Sequence, residues 1–406
     1  VVLPSGSVLD SSGNAFAGSS TYDFSTGANS VWTGTSGADV FLGTSGNDVI
    51  NGGAGIDQMD GKEGSDLYLV TASSDHNAAE FTDTGSTGTD EVRFTSTTAS
   101  TLVLYGGDTG IESVSLGTGN GTEPILTGVT ALNADASAVL NPLTLRGNAG
   151  ANIIKGTSFN DDILGGDGND TLNGGSGNDV MNGGAGNDTF DLDSNSRAGA
   201  DLMIGGAGDD NYYTDNSGDT VIESAGQGND TMRSTISSSL ALSPNVENLY
   251  LIGFSAINAT GNDLNNLLIG NDYANVLNGG LGDDTLSGGL GNDTLTGGIG
   301  ADSFVFSSTP NAISNRDLIT DFVSGADQIQ LSKSIFTVFG AMGTITSDAF
   351  YSSSTATKGM DASDRLVYNT STGILYYDAD GSGVRASVAI ALLGNLTHPN
   401  LTYTDI

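Results

Sequence analysis

GNAGANIIK, GTSFNDDIL, GGDGNDTLN, GGSGNDVMN, GGAGNDTFD: residues 147–191 are five nine-residue segments joined without a gap. Glycine opens each segment, at Gly147, Gly156, Gly165, Gly174 and Gly183. The sixth position holds Asn152 and then Asp161, Asp170, Asp179 and Asp188. The eighth holds an apolar residue: Ile154, Ile163, Leu172, Met181 and Phe190. A short fixed period of this kind predicts a solenoid, in which each repeat buries its apolar residue only by stacking on its neighbours.

The same period recurs on both sides. Residues 34–69 read GTSGADVFL, GTSGNDVIN, GGAGIDQMD, GKEGSDLYL and place Asp39, Asp48, Asp57 and Asp66 at the sixth position. After Phe190 the register slips by four residues, resumes as SRAGADLMI at 196–204 and closes with GGAGDDNYY at 205–213, adding Asp201 and Asp210. A third block, 261–305, carries Asn266 and Asn275 in its opening repeats and then Asp284, Asp293 and Asp302. The connecting stretches are themselves duplicated: GTDEVRFTST from Gly88 parallels GNDTMRSTIS from Gly228, and IESVSL from Ile111 parallels VENLYL from Val246. Their near-alternating β-type composition predicts longer coils of the same solenoid.

Beyond residue 306 the character changes. Asp317–Ser332 alternates and then carries an acid-bearing turn, Asp364–Gly383 predicts a hairpin turning at Thr372–Gly373, and Ser387–Asn395 reads as an apolar strand. The expected organisation is therefore all-β: an arm at 1–30, a first block with longer coils at 31–146, a second at 147–260, a third block at 261–306, and a β-rich cap at 307–406.

Composition narrows the function classes. Glycine supplies 61 of 406 residues, about twice average usage, with only 6 prolines. That density of Gly, with Ser and Thr, opposes long helices. The net charge of −37 would make a folded chain repel itself unless cations sat among its carboxylates, and it makes nucleic acid an improbable partner. There is no cysteine, hence no disulfide and no thiolate metal site. No apolar run reaches the length of a membrane span. The start, VVLPSGSVLD, has no Met and no cationic leader, and does not read as a secretory signal.

The chemistry lies in the turn. The GGxGxD half of a repeat forms a tight turn in which glycines permit positive φ and inward carbonyls. The remaining residues form a short strand whose central apolar residue faces the core. Two repeats make one coil, so like turns stack into a ladder of carbonyls and carboxylates along each edge. Hard oxygen ligands of this kind suit Ca²⁺, which accepts about 6–8 oxygens in flexible geometry; Mg²⁺ keeps its waters and fits less well. His76 and His398 are isolated in sequence and read as exposed loop residues, so no histidine ladder exists for zinc or copper. The DADGSG loop at Asp378–Gly383 lacks the closing glutamate and helical flanks of an EF-hand.

The register of GGxGxDxUx through residues 34–69, 147–213 and 261–305 resembles the RTX, or haemolysin-type calcium-binding, nonapeptide family. The resemblance implies a parallel β-roll with multiple Ca²⁺ ions between successive turns. It implies as side-chain ligands Asp39, Asp48, Asp57, Asp66, Asp161, Asp170, Asp179, Asp188, Asp201, Asp210, Asp284, Asp293 and Asp302. Asn152, Asn266 and Asn275 depart from the pattern and weaken their turns, as do Lys62 with Glu63, and Phe159, which stand where glycine turns are expected. Asp317–Ser332 resembles the segment that closes such rolls, with Asp317, Asp321 and Asp327 as secondary candidates. The resemblance also implies export from a Gram-negative bacterium by a type I apparatus that reads a C-terminal signal, and folding on contact with extracellular calcium.

No HExxH, GxSxG or Walker pattern is present, and the carboxylate pairs all belong to the repeat, so no enzyme is expected. Two readings follow: a calcium-folded structural subunit of a surface layer, matrix or filament, partnered by itself or by cell-surface polysaccharide; and the export and folding module of a larger adhesin, toxin or exoenzyme. A third, an ice- or carbohydrate-binding face, needs Thr35, Thr44 and Thr157 to point outward from their second positions.

Overall fold

The computed structural model describes residues 31–192, 199–339, 343, 345–394 and 397–406. The expected arm at 1–30 and the first three residues of SRAGADLMI lie outside these. Chain contacts gather into two compact units, one ending at Ile222 and the other running from Glu223 to Ile406. Both are all-β, and their parallel strands stack in the manner of a β-solenoid. Among the described residues, helix is confined to four three-residue 3-10 turns.

The nine-residue period sets the register. Ile153–Lys155 pairs in parallel with Thr171–Asn173, and Asp162–Asp167 with Val180–Ala185, each partner 18 residues on. One coil is therefore two repeats, and each repeat supplies one strand. In the first unit, ten parallel strands from Val31–Thr33 to Thr220–Ile222 form one sheet. Six more, from Ser100–Val103 to Asn211–Thr214, run side by side opposite it. The strands are short, two to six residues, because each is cut off by the turn that follows.

The eighth-position residues fill the space between the sheets. Ile50, Tyr68, Ile163, Leu172, Met181, Phe190, Met203 and Tyr212 are all fully buried, and Phe190 stacks on Tyr212 with ring centroids 5.0 Å apart. In the second unit Leu268, Leu277, Leu286, Leu295 and Phe304 repeat the pattern. Each such burial contributes roughly 1.5–3 kcal/mol. Neighbours at the seventh and ninth positions are mostly only partly covered, giving the alternation of a sheet with one wet face.

The longer coils stay in the lattice. Glu91–Phe94 pairs with Leu67–Val70 on one side and with Ser113–Leu116 on the other, and Ser113–Leu116 in turn with Thr144–Arg146. Arg93, buried within them, donates to Glu91 and to the carbonyls of Gly119 and Gly121. The four-residue slip after Phe190 leaves the register intact, since Val180–Ala185 pairs with Leu202–Ala207 residue for residue.

In the second unit the roll ends differently. Asp317–Ile319 pairs in parallel with Val388–Leu393, which then pairs antiparallel with Ile374–Tyr377, and that strand with Leu366–Asn369. The hairpin turns where Gly373 takes φ +69°, as Thr372–Gly373 predicts. The sheet thus switches from coil stacking to hairpins. The DADGSG loop is part of this region: Asp378 is buried and its Oδ2 accepts the Gly359 N–H at 3.0 Å, a structural closure.

Two expectations about histidine are corrected. His76 is 2% exposed; its Nδ1 lies 3.1 Å from Glu80 and its Nε2 3.0 Å from Asp108, and its ring stacks on Phe81. The long coil after residue 70 folds its acids back over the ring, which sequence distance conceals. His398 is held by its Nδ1 against the Leu393 carbonyl at 3.0 Å.

Candidate metal centre

Along each edge, one oxygen of nearly every sixth-position acid performs the same task. Asp179 Oδ1 accepts the backbone N–H of Asp161 at 2.8 Å, and Asp188 Oδ1 that of Asp170 at 2.7 Å. Asp57 serves Asp39, Asp66 serves Asp48, Asp170 serves Asn152 and Asp161 serves Leu143 in the same way. Across the slip, Asp201 accepts from Asp179 and Asp210 from Asp188. In the second unit Asp284, Asp293 and Asp302 accept from Asn266, Asn275 and Asp284. These bonds pin each turn to the one before it.

The second oxygen sorts the turns into two kinds. In the GT and GN repeats the chain itself satisfies it. Asp161 Oδ2 accepts the Thr157 N–H at 2.6 Å and the Thr157 hydroxyl at 3.0 Å. Asp39 and Asp48 receive the same pair from Thr35 and Thr44. In the asparagine repeats, Asn152 Nδ2 donates to the Leu132 carbonyl and to Asn148 Oδ1, and Asn266 and Asn275 repeat the pattern with Asn262 and Asn271. The second-position side chain also accepts the N–H of the fourth residue, as in Phe159 to Thr157 at 3.0 Å, which closes the turn with no positive φ. Phe159 is therefore compatible with its turn. The outward placement expected of Thr44 and Thr157 is corrected too: both are buried, because their hydroxyls face the carboxylate.

In the GG repeats there is no such side chain. The Oδ2 atoms of Asp57, Asp66, Asp170, Asp179, Asp284 and Asp293 are buried and have no hydrogen-bond donor. Each lies against the first glycine of its own repeat. A methyl group added to Gly165 would sit 2.3 Å from Asp170 Oδ2 and 2.7 Å from the Gly183 carbonyl oxygen of the next coil. At Gly279 the corresponding distances are 2.2 Å to Asp284 Oδ2 and 2.5 Å to the Gly297 carbonyl. Carboxylate and carbonyl oxygens thus converge on a space that only glycine leaves open. The second and fourth glycines take positive φ, +99° at Gly175 and +127° at Gly177. Lys62 adopts φ +71° at a second position, so the GKEG turn keeps the GG form and Asp66 keeps its bare oxygen.

An ionised carboxylate buried without a donor costs several kcal/mol. Burial pushes Asp170 and Asp57 up to about 6 and Asp179 and Asp284 up to about 7. Asp293 and Asp317 are pushed up by burial, and the Asp293 charge holds Asp317 higher still. Arg93 pairs with Glu91, and His76 with Glu80 and Asp108; none of these reaches the six bare oxygens. The donor set is all hard oxygen, so the residues fit Ca²⁺ by class.

A family model for the RTX calcium-binding nonapeptide repeat, in four copies, matches residues 33–68, 155–190, 195–221, 260–295 and 269–304. The chain carries RTX repeats. No curated protein matches the chain. The RTX match runs past Tyr213 to include Asp219, whose Oδ1 accepts the Asp201 N–H at 3.2 Å. Other rungs of the RTX ladder lie in the longer coils and are missed by the nonapeptide register: Asp90 accepts from Asp66, Glu112 from Asp90, and Glu247 from Asp230. GSTGTD at 85–90 is a degenerate copy of the turn and marks the Asp90 rung in the sequence. Asp317 and Asp327 are rungs as well, serving Asp293 and Asp302, while Asp321 caps the Gly297 and Gly298 N–H groups.

Proposed function

We propose that this is a secreted, calcium-binding structural protein. Its GG turns hold Ca²⁺, its folding is completed by the ion outside the cell, and copies then join into a surface layer, matrix or filament. The observation that carries the reading is the set of buried, donor-less Oδ2 atoms at Asp57, Asp66, Asp170, Asp179, Asp284 and Asp293. Together with the backbone carbonyls beside the first glycines, they are the oxygens that would hold the ion. Bound there, Ca²⁺ supplies positive charge that the chain lacks. The other sixth-position acids of the RTX turns, Asp188, Asp201, Asp210 and Asp302, stand on the same ladders and are assigned the same role. Asp39, Asp48 and Asp161, already satisfied by threonine, are assigned to structure instead.

Calcium affinities of extracellular modules are typically about 10⁻⁴–10⁻³ M, so such a roll stays open in a calcium-poor cytosol and closes outside. Charge also ties calcium to assembly. At −37 two copies repel, and neutralising the ladders removes much of that barrier. No helix among the described residues is long and apolar enough to cross a membrane. The test is electron microscopy and light scattering of the purified chain with Ca²⁺ and with chelator. Ordered polymers in calcium only are expected; a calcium-loaded protein that stays monomeric contradicts the assembly reading.

The alternative, a folding and export module of a larger adhesin, toxin or exoenzyme, is favoured by one fact: the matching family model describes a repeat, not a whole protein. A denatured mass far above 40.9 kDa for the mature chain would decide for it.

A further inference from the structure

Resting on the calcium role proposed for the turns, we propose that Asp83, a residue outside the nonapeptide pattern, joins the ladder residues Asp66 and Asp90 in one divalent-cation site where the first run of repeats gives way to a longer coil. Carboxylate oxygens of the three lie within 4.8 Å of one another, and all three residues are buried. Only Asp66 belongs to a nonapeptide. Asp90 comes from the degenerate turn one coil on, and Asp83 from the segment Phe81–Gly85, which has no counterpart in the repeat.

The hydrogen bonds around the cluster leave it short of positive charge. Asp66 Oδ1 accepts the Asp48 N–H and Asp90 Oδ1 the Asp66 N–H, each at 2.7 Å. Asp83 Oδ1 accepts the Gly85 N–H at 2.7 Å, and its Oδ2 accepts the Tyr68 hydroxyl at 2.6 Å. That hydroxyl accepts the Gly61 N–H at 2.8 Å, so a tyrosine braced on the preceding turn fixes where Asp83 points. Asp66, 1% exposed, keeps a buried Oδ2 with no donor, beside two further carboxylates. Among the described residues, no lysine, arginine or histidine pairs with any of the three. The nearest other charges acting on the group, Asp48, Asp60 and Glu112, are also acidic.

Three carboxylates this close cannot all ionise in a dry site without a cation. Burial, reinforced by their mutual charge, holds Asp66 at about 7 and Asp90 at about 8, and burial pushes Asp83 up as well. The donors are oxygen throughout, and three anionic side chains on flexible backbone suit Ca²⁺ better than Mg²⁺. An ion here would tie the segment from Phe81 to Asp90 to the last turn of the first run, across a coil of 24 residues rather than 18.

This site adds an off-repeat ligand to the proposed RTX turns, and its test separates it from the turns of the other blocks. Crystals of the full chain grown with Tb³⁺ as a calcium substitute should show an anomalous peak within ligand distance of Asp66, Asp83 and Asp90. Peaks at the Gly165–Asp179 turns with none at this cluster would overturn the proposal while leaving the turns' role standing. No peaks at either place would overturn both. In solution, native mass spectrometry of Asp83→Asn should count one Ca²⁺ fewer than the parent chain; an unchanged count contradicts the site. Should that variant fail to fold, the diffraction result on the parent chain decides.

Discussion

A single position, the second of each nonapeptide, governs what its sixth-position acid does. With threonine or asparagine there, the carboxylate or amide is satisfied from within the turn; with glycine, one buried oxygen is left over at Asp57, Asp170, Asp179, Asp284 and Asp293. Substitutions should follow that division. Asp170→Ala and Asp179→Ala should each raise the calcium concentration needed for folding, followed by circular dichroism; unchanged midpoints in both remove these residues as ligands. Thr157→Val instead strips the hydroxyl bonds to Asp161 and Phe159, and should cost about 1–3 kcal/mol in chelator as well as in calcium. Leu172→Ala, in the core, should cost about 2–5 kcal/mol by denaturant unfolding.

His76 supplies a residue-scale pH effect of opposite origin. Burial works most strongly against its protonation, but the hydrogen bonds and charges of Asp108 and Glu80 outweigh it and raise the pKa. Its contribution to stability is therefore full below the unfolded value near about 6.5 and is lost as pH rises through the folded one. His76→Gln should destabilise the calcium-loaded protein more at about pH 5.5 than at about pH 9. A penalty independent of pH would show that the ring acts by packing on Phe81 alone.

At the scale of the turn, each block opens on repeats that complete their own hydrogen bonding, GTSGAD and GTSGND, GNAGAN and GTSFND, GNDLNN and GNDYAN. The GG turns follow. One full coil that completes its own hydrogen bonds thus stands ahead of coils that leave carboxylate oxygens bare. Hydrogen exchange in chelator should find the amides of Thr157 and Asn262 protected and those of the Gly174 and Gly288 turns open, with calcium protecting both kinds. Uniform exchange across both kinds of turn would contradict the distinction.

The blocks, the coil of two repeats and the buried eighth positions are legible in the sequence, because a fixed period carries all three. The bare oxygens were half legible: the acids at position six stand out, but the role of position two depends on where a threonine hydroxyl turns. Asp83 and His76 were not legible at all. Each meets its partners only after the long coil folds back, and no spacing rule encodes that. Asp90, Glu112 and Glu247 escape the nonapeptide register because coils of uneven length preserve the backbone rung while breaking the count of nine.

For the whole molecule, charge is the controlling quantity. The metal-free fold holds protons more tightly than the open chain, since burial lifts the GG-turn aspartates from about 3.9 to values of about 6 to 7. That stabilisation is present at acid pH and is lost as pH rises through those values. In chelator the protein should therefore melt at a higher temperature near about pH 5 than near about pH 8. Saturating calcium should shrink the difference, because the ion takes the place of the protons.

The central claim, that calcium completes this fold through the GG turns, is tested most directly by titrating the chelated full chain with Ca²⁺ at neutral pH. The readout is far-ultraviolet circular dichroism and thermal unfolding, with Mg²⁺ as the control. A cooperative gain of β signal and of melting temperature with Ca²⁺, and little with Mg²⁺, is expected. The same spectrum and the same melting temperature in chelator as in calcium would contradict it.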